Sequence, residues 1–491
     1  MLTVPAPLPA QSQFDKMFNR VEIETSDLFN DLFTYDLDGD GKEDLLVVLD
    51  AKEGKRLAIY FQKDNSFALK PDQLVTFDKQ AILFVPADIS SIHKGRELVF
   101  LTRNSLQFYY LKNRRYQKEA EKLTELSSVF MAPSKECPVR SSFVWERGDQ
   151  KSPLVIIPGA DSMTIFKKNK AGGLVESQKL AIAPSFTISS YERRLRSDGD
   201  GETFSQKTVM RVPRIYLKDF NGDKQDDIVS IVNDRVEVFF NKGDDVFSSK
   251  ADFHTKLVLL TENEKEAMFT PNTAKNVCDL NGDGLVDIVV TKIIFKTGAG
   301  FTKIYIYLNK KGKINSAPDQ VIMKDNCLNI PQMRDMNNDG LLDFIIPEAK
   351  IGLLQIFKIL MTKKLSYRRS IYLNRDNTFA EKPDLSLKVE ARFDLDNPQN
   401  MEGEFLYVSG DFNGDTVKDL LRTESKSGKL LIFHGLPKSK QFFSSSAAFQ
   451  TKEKQMPRDC IIKDLNGDKK SDIIFDYRQN KKKKIVVFVS K

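Results

Sequence analysis

The chain is short of the residues that enzymes most often use near neutral pH. It has three histidines in 491 residues, His93, His254 and His434, and they stand in unrelated contexts. It has no HExxH pair, no nucleophile elbow and no glycine-rich phosphate loop. No recognisable catalytic set is therefore present. The four cysteines, Cys137, Cys278, Cys327 and Cys460, lie far apart. They form no CxxC or Cys/His spacing, so a zinc cluster is not expected; two disulfides or four buried thiols fit equally well. No run of 18 apolar residues occurs, so no spanning helix is expected. No Pro/Ser-rich linker or low-complexity tract divides the chain, and a single domain over residues 15–491 is expected. The leading residues 1–14 have no basic segment and read either as a disordered leader or as a signal-peptide remnant cut near Ala10.

What the chain has in quantity is one acidic loop, Asp-x-Asn/Asp-x-Asp-x-x-x-Asp, which occurs six times. The copies are Asp36–Asp44, Asp219–Asp227, Asp279–Asp287, Asp335–Asp343, Asp411–Asp419 and Asp464–Asp472. A hard divalent cation such as Ca²⁺ takes six to eight oxygen ligands. Side chains at loop positions 1, 3, 5 and 9, with the main-chain carbonyl at 7, form such a set. The ligands expected in the first copy are Asp36, Asp38, Asp40, Lys42 and Asp44. Those of the second are Asp219, Asn221, Asp223, Gln225 and Asp227. The third offers Asp279, Asn281, Asp283, Leu285 and Asp287, and the fourth Asp335, Asn337, Asp339, Leu341 and Asp343. The fifth offers Asp411, Asn413, Asp415, Val417 and Asp419, and the sixth Asp464, Asn466, Asp468, Lys470 and Asp472. Lys42, Gln225, Leu285, Leu341, Val417 and Lys470 would contribute only their carbonyls. Glycine at position 4 or 6 permits a turn with positive φ, and Asn338 is the tolerated substitute.

An EF-hand begins in the same way but needs a bidentate Glu at position 12 between two helices. Position 12 here is Val47, Ser230, Val290, Ile346, Arg422 and Phe475. The residues after each loop are short apolar runs such as LLVVL and IIFDY, which read as strands. A solvated turn explains one acidic cluster, but not six with identical ligand spacing. The stretch Asp198–Glu202 lacks both the ninth carboxylate and the apolar run, and reads as an ordinary loop.

Each loop sits in a unit of four short strands, of roughly 50–75 residues, the period of a propeller blade. Two degenerate units fill the gap between the first and second loops. In the one around Trp145, the residues Trp145, Arg147 and Pro153 replace three ligands. The final unit has only three strands. Arg20–Thr25 alternates as an edge strand should, and would complete that unit and close the ring. The expected fold is all-β, an eight-bladed β-propeller whose last blade is closed by the N-terminal strand; seven blades is the fallback.

These loops and strands resemble the FG-GAP/VCBS repeats of integrin α-chain propellers and of many secreted bacterial proteins. The resemblance runs from about residue 20 to the end and implies up to six structural Ca²⁺. It does not imply one function, because such propellers include adhesion proteins, lectins and polysaccharide lyases.

The net charge is +7, and six ions would add about twelve positive charges. Acidic partners are expected, a protein or an anionic glycan, and nothing points to nucleic acid. Calcium loops fill where calcium is plentiful, so a secreted or cell-envelope location is expected. The long connections Pro184–Val212, Ile293–Phe301, Ala349–Ser366 and Val389–Glu404 fall on the face opposite the loops. In the third of these, Leu353, Ile356, Phe357 and Leu360 follow helical spacing beside Lys363 and Lys364. They are the candidate contacts for a partner protein or a membrane surface, unless the segment is a long hairpin. The leading expectation is a non-enzymatic, calcium-stabilised propeller for macromolecular interaction or adhesion. The alternative is a polysaccharide-binding or polysaccharide-cleaving propeller resembling the eight-bladed rhamnogalacturonan lyases.

Overall fold

Eight antiparallel sheets follow one another along the chain in a computed structural model of the protein. The structure describes residues 13–491 except 52–53, 79, 91, 131–138, 148–151, 170–172, 196–201, 260–271, 297–298, 326–329, 350–352, 394–400, 404, 425–426, 438, 440, 454–456, 458 and 478–482. Blade 1 comprises Leu28–Tyr35, Asp44–Ala51, Gly54–Tyr60 and Gln73–Thr76. Blade 2 comprises Leu83–Ala87, Glu97–Leu101, Ser105–Tyr109 and Glu121–Glu125, and blade 3 Val144–Trp145, Leu154–Pro158, Met163–Lys168 and Leu174–Leu180. Blade 4 comprises Arg214–Lys218, Asp227–Val232, Arg235–Phe239 and Phe253–Lys256. Blade 5 comprises Asn272–Cys278, Asp287–Lys296, Ala299–Tyr307 and Gln320–Asp325. Blade 6 comprises Gln332–Arg334, Asp343–Glu348, Lys364–Tyr372 and Leu385–Phe393, and blade 7 Leu406–Gly410, Asp419–Glu424, Lys429–Phe433 and Phe449–Lys452. Blade 8 comprises Asp459–Lys463, Asp472–Asp476 and Lys484–Ser490, and takes its outer strand, Phe18–Glu24, from the other end of the chain. The expected eight-bladed propeller and its N-terminal closure are both present. Blade 2 has an additional inner strand, Val139–Arg140, parallel to Leu83–Ala87, which the sequence reading lacked.

The core explains why the second strands read as unbroken apolar runs. A strand between two neighbouring blades buries both faces, so odd and even positions are both apolar. Leu45, Val47 and Leu49 pack toward blade 8, whereas Leu46 and Val48 pack toward blade 2. The described residues form eight such clusters, one at each junction between successive blades, including the junction from blade 8 to blade 1. The core is therefore a ring of interfaces, and it holds together only if the ring closes.

Closure rests on the pairing of Arg20 with Phe488, Val21 with Val487 and Ile23 with Ile485. Ile23 is fully buried at the junction with blade 1. Upstream, the short helix Gln13–Met17 places Phe14 against Phe18 and Phe488, so packing starts one residue before the expected boundary at 15. Ile23→Asp puts an unpaired charge into this seam. It is expected to destabilise the protein by about 3–5 kcal/mol. A urea melt unchanged by this substitution would mean that the N-terminal strand does not hold the ring.

Antiparallel order fixes the two faces. Connections between first and second strands, and between third and outer strands, emerge on one face. Second-to-third and blade-to-blade connections emerge on the other. The six acidic loops occupy the first face. On the other, Pro184–Val212 forms a hairpin, Ser185–Leu195 with Glu202–Arg211, whose tip lies outside the described residues. Ile293–Phe301 lengthens the second and third strands of blade 5, and Val389–Glu404 adds the short strand Met401–Gly403 to blade 6. Ala349–Ser366 contains a helix, Leu353–Thr362, rather than a long hairpin.

Candidate metal centres

All six loops have the same geometry. Position 4 has positive φ in each, from 60° at Asn338 to 87° at Gly222. Position 6 is also left-handed in each, even where it is Lys224, Thr416 or Lys469. Sequence reasoning asked for glycine at one of these positions; the fold imposes the conformation at both. For the β-branched Thr416, with φ of 70°, this is a strained geometry.

The carboxylate at position 1 accepts the amide of position 6 in every copy, for example Gly41 to Asp36 Oδ2 at 2.9 Å and Thr416 to Asp411 Oδ2 at 2.7 Å. The carboxylate at position 5 accepts the amide of position 7, for example Gln225 to Asp223 and Leu285 to Asp283, both at 2.8 Å. These bonds wind the loop and gather the oxygens of positions 1, 3 and 5. In the first loop, Asp36, Asp38 and Asp40 each bring an oxygen to within 4.8 Å of the others. Three ligand-position oxygens are buried with no hydrogen-bond partner: Asp38 Oδ1, Asp279 Oδ1 and Asn337 Oδ1. Orphaned oxygens beside further carboxylates suit a hard cation and are costly without one. The residues present thus fit Ca²⁺.

Position 9 differs from the rest. Asp44, Asp227, Asp287, Asp343, Asp419 and Asp472 are all completely buried. Each gives one oxygen to the amide of position 2 and the other to the amide at the exit of the third strand. For Asp287 these donors are Leu280 at 3.0 Å and Asn309 at 2.8 Å. For Asp44 they are Leu37 at 2.9 Å and Gln62 at 2.8 Å. The ninth carboxylate therefore locks the loop to the blade, and only its remaining lone pairs would be left for an ion. Burial raises the pKa of Asp44 and Asp343 to about 7 and that of Asp227, Asp287 and Asp472 to about 6.

Blade 2 retains the loop half of this lock without the motif, through one oxygen of Glu97 and with no described bond to the third strand. Glu97, fully buried, accepts the amides of Ile89 and Ser90, and burial raises its pKa to about 7. One additional loop residue is matched by one additional methylene, and for that reason a search for Asp at position 9 misses Glu97.

The loops also join neighbouring blades. The position-2 carbonyl of one blade accepts donors from the next. Leu465 O receives the amide of Glu43 at 2.7 Å and the side-chain amide of Gln62 at 2.8 Å. Leu280 O receives Asn374 Nδ2 at 3.0 Å, and Phe220 O receives Asn309 Nδ2 at 2.7 Å. Position 3 meets the turn between the third and outer strands of the next blade. Asn221 abuts Gly312 there. In blade 1 the corresponding neighbour is charged: Arg114 Nε lies 2.8 Å from Asp38 Oδ2, with its guanidinium 5.0 Å from the Phe61 ring. In degenerate blade 3 the charges are exchanged, and Arg147, replacing a ligand, is paired with Asp245 of blade 4. Arg96 of blade 2 pairs likewise with Glu146 of blade 3. Side-chain cations thus stand among the acidic groups of blades 1 to 3.

The histidines do not converge. His93 stacks on Tyr110 at 3.9 Å in blade 2, His254 lies on the outer strand of blade 4, and His434 is 3.6 Å from Asp419 in blade 7. Cys278 and Cys460 are free thiols, while Cys137 and Cys327 lie outside the described residues. On the opposite face, Phe357 and Leu360 of the helix are exposed, as is Met361. The side chains of Leu353 and Ile356 lie outside the described part of the structure. No described helix is long and apolar enough to cross a membrane.

Residues 279–346 match the FG-GAP-like repeat, a span that runs from the loop of blade 5 to the second strand of blade 6. With eight blades around the ring, the chain is a β-propeller with FG-GAP repeats and fits the FG-GAP/VCBS propellers. No curated protein sequence matches it. Among solved structures, an Agrocybe aegerita lectin that recognises non-reducing terminal N-acetylglucosamine is 15% identical, with a TM-score of 0.43, over 95% of this chain and 98% of its own. The NanB sialidase of Streptococcus pneumoniae is 11% identical, with a TM-score of 0.29, over 99% of this chain and 71% of its own. Likenesses this distant say nothing of what the present chain binds.

Proposed function

We propose that the protein is a non-enzymatic, calcium-stabilised propeller that acts outside the cytosol and holds a macromolecular partner on the face opposite its calcium loops. The observation that carries this reading is the helix Leu353–Thr362, which presents Phe357, Leu360 and Met361 to solvent on that face. Large apolar side chains exposed together on an insertion cost solubility unless a partner covers them. A pull-down with the full chain and a variant lacking Gly352–Met361 tests it. A specific partner lost with the deletion supports the assignment, and an identical set of partners for both overturns it.

The ions would be held by positions 1, 3 and 5 and the position-7 carbonyl, against the buried carboxylate at 9. Bound Ca²⁺ neutralises the clustered carboxylates and ties the loop down. The six centres are not equivalent. Five carry Asp, Asn, Asp and Asp; the first carries Asp38 in place of Asn, with the Arg114 guanidinium beside it. Arg114 cancels the additional negative charge and leaves the first centre with the same net charge as the others. Removing a cation this near should tighten Ca²⁺ at that loop on the order of tenfold. Hydrogen exchange of the peptide spanning 36–44, followed through a calcium titration, should show the half-protection point falling in Arg114→Gln while the other loops stay put. An unchanged point for this peptide would deny Arg114 that role.

A further inference from the structure

We propose that the helix Leu353–Thr362 docks this propeller on an anionic bilayer surface, lying in the headgroup region. This names the partner class for the face assigned above and rests on that assignment. Three observations favour lipid over a protein groove. The helix is ten residues long, about 15 Å, and a hydrocarbon core of about 30 Å is out of its reach. It can lie in an interface but cannot span one. Phe357, Leu360 and Met361 stand at i, i+3 and i+4, so they share one face, and their exposures are 64%, 50% and 73%.

The third observation is charge. From Ala349 to Tyr372 the chain has Lys350, Lys358, Lys363, Lys364, Arg368 and Arg369 and no acidic residue. Lys358, Lys363, Lys364 and Arg368 are exposed. Lys363 ends the helix with a φ of 52° and donates its amide to Ile359 O at 2.7 Å, so the chain turns with the lysines next to the apolar face. Across the sheet, Lys364 pairs in register with Arg392, and Arg392 in turn with Glu402. The nearby Glu348 is turned to the blade interior, where it accepts Ser370 Oγ at 2.7 Å and the Tyr372 hydroxyl at 2.6 Å. Glu390 lies 3.6 Å from Lys388 on its own strand. A short apolar face framed by lysines, with no acid of its own, matches anionic headgroups over an acyl boundary.

Co-sedimentation of the calcium-loaded full chain tests this. The vesicles are phosphatidylcholine alone, or phosphatidylcholine with about one third phosphatidylglycerol. The expected result is pelleting with the anionic vesicles only, weakening as salt is raised. Replacing Phe357, Leu360 and Met361 together by Ser should reduce the bound fraction about tenfold or more. Replacing Lys358, Lys363 and Lys364 by Gln should do the same, at about fivefold per lysine. All six side chains are exposed, and unchanged thermal melts verify that the variants fold. Phe357→Trp adds a reporter whose emission should shift to the blue on anionic vesicles.

No pelleting with the anionic vesicles overturns the proposal. So does pelleting undiminished in the triple-Ser variant, which would mean calcium bridging of headgroups elsewhere. If vesicles fail while the deletion of Gly352–Met361 still loses a protein partner, the lipid assignment falls and the interaction face stands. If both fail, both fall.

Discussion

Chelation is expected to lower the melting temperature of this protein by about 10 °C at neutral pH if the six loops hold calcium as proposed. Each loop filled well above its dissociation constant adds about 2 kcal/mol to the folded state. Six loops in a chain of 491 residues act against an unfolding entropy of about 1 kcal/mol/K. Calorimetry in millimolar calcium and in excess chelator gives the difference directly, and superimposable melts would remove calcium from the account of this fold. The pH dependence sharpens the test. Without ions, burial holds Asp44, Asp227, Asp287, Asp343 and Asp472 at pKa values of about 6 to 7, above the ordinary value near 4 for an unfolded Asp, and raises Asp419 as well. A group raised in this way adds stability that is complete below pH 4 and is lost as the pH climbs through 6 to 7. The chelated protein should therefore melt lower at pH 7.5 than at pH 5.5. With calcium the slope should reverse, because the ion binds the ionised carboxylates.

The second large effect separates the two roles within one loop. Asp287→Ala orphans two buried amides, those of Leu280 and Asn309, and leaves a small void. It is expected to cost about 3–5 kcal/mol whether or not calcium is present. Asp283→Ala, at exposed position 5, removes an expected ligand and two local bonds, from the Leu285 amide and the Asn281 side chain. Its effect should be confined to calcium-loaded protein, with the chelated melts of this variant and wild type within about 1 °C. Equal losses for both variants in chelator would place the ninth carboxylate among the ordinary loop residues. The contrast follows from burial: a solvated carboxylate can be replaced by water, whereas the amides facing Asp287 have no route to water.

The blade count, the ring closure and the acidic face were legible in the sequence, because strands that bury both sides leave unbroken apolar runs and a repeated loop leaves a repeated spacing. LLVVL and IIFDY announce second strands without reference to any neighbour. The alternation of Arg20–Thr25 sufficed to assign it as the closing edge. Residues belonging to the loops but contributed by another blade were not legible. Arg114 lies 76 positions from Asp38 and Asp245 lies 98 from Arg147. No local pattern ties such pairs together.

The helix in blade 6 shows a different limit. A short apolar stretch such as GLLQIFKILM satisfies helical and strand spacing alike. Which one forms depends on whether a neighbouring strand is available, and here the edges of the second and third strands already pair with each other. By itself, then, the sequence determined a ring of eight blades with six acidic loops of one spacing. Tertiary structure alone decided which carboxylates became buried locks, which cations came to rest beside the ligands, and which apolar residues were left in solvent, because each depends on groups that meet only when the ring is closed.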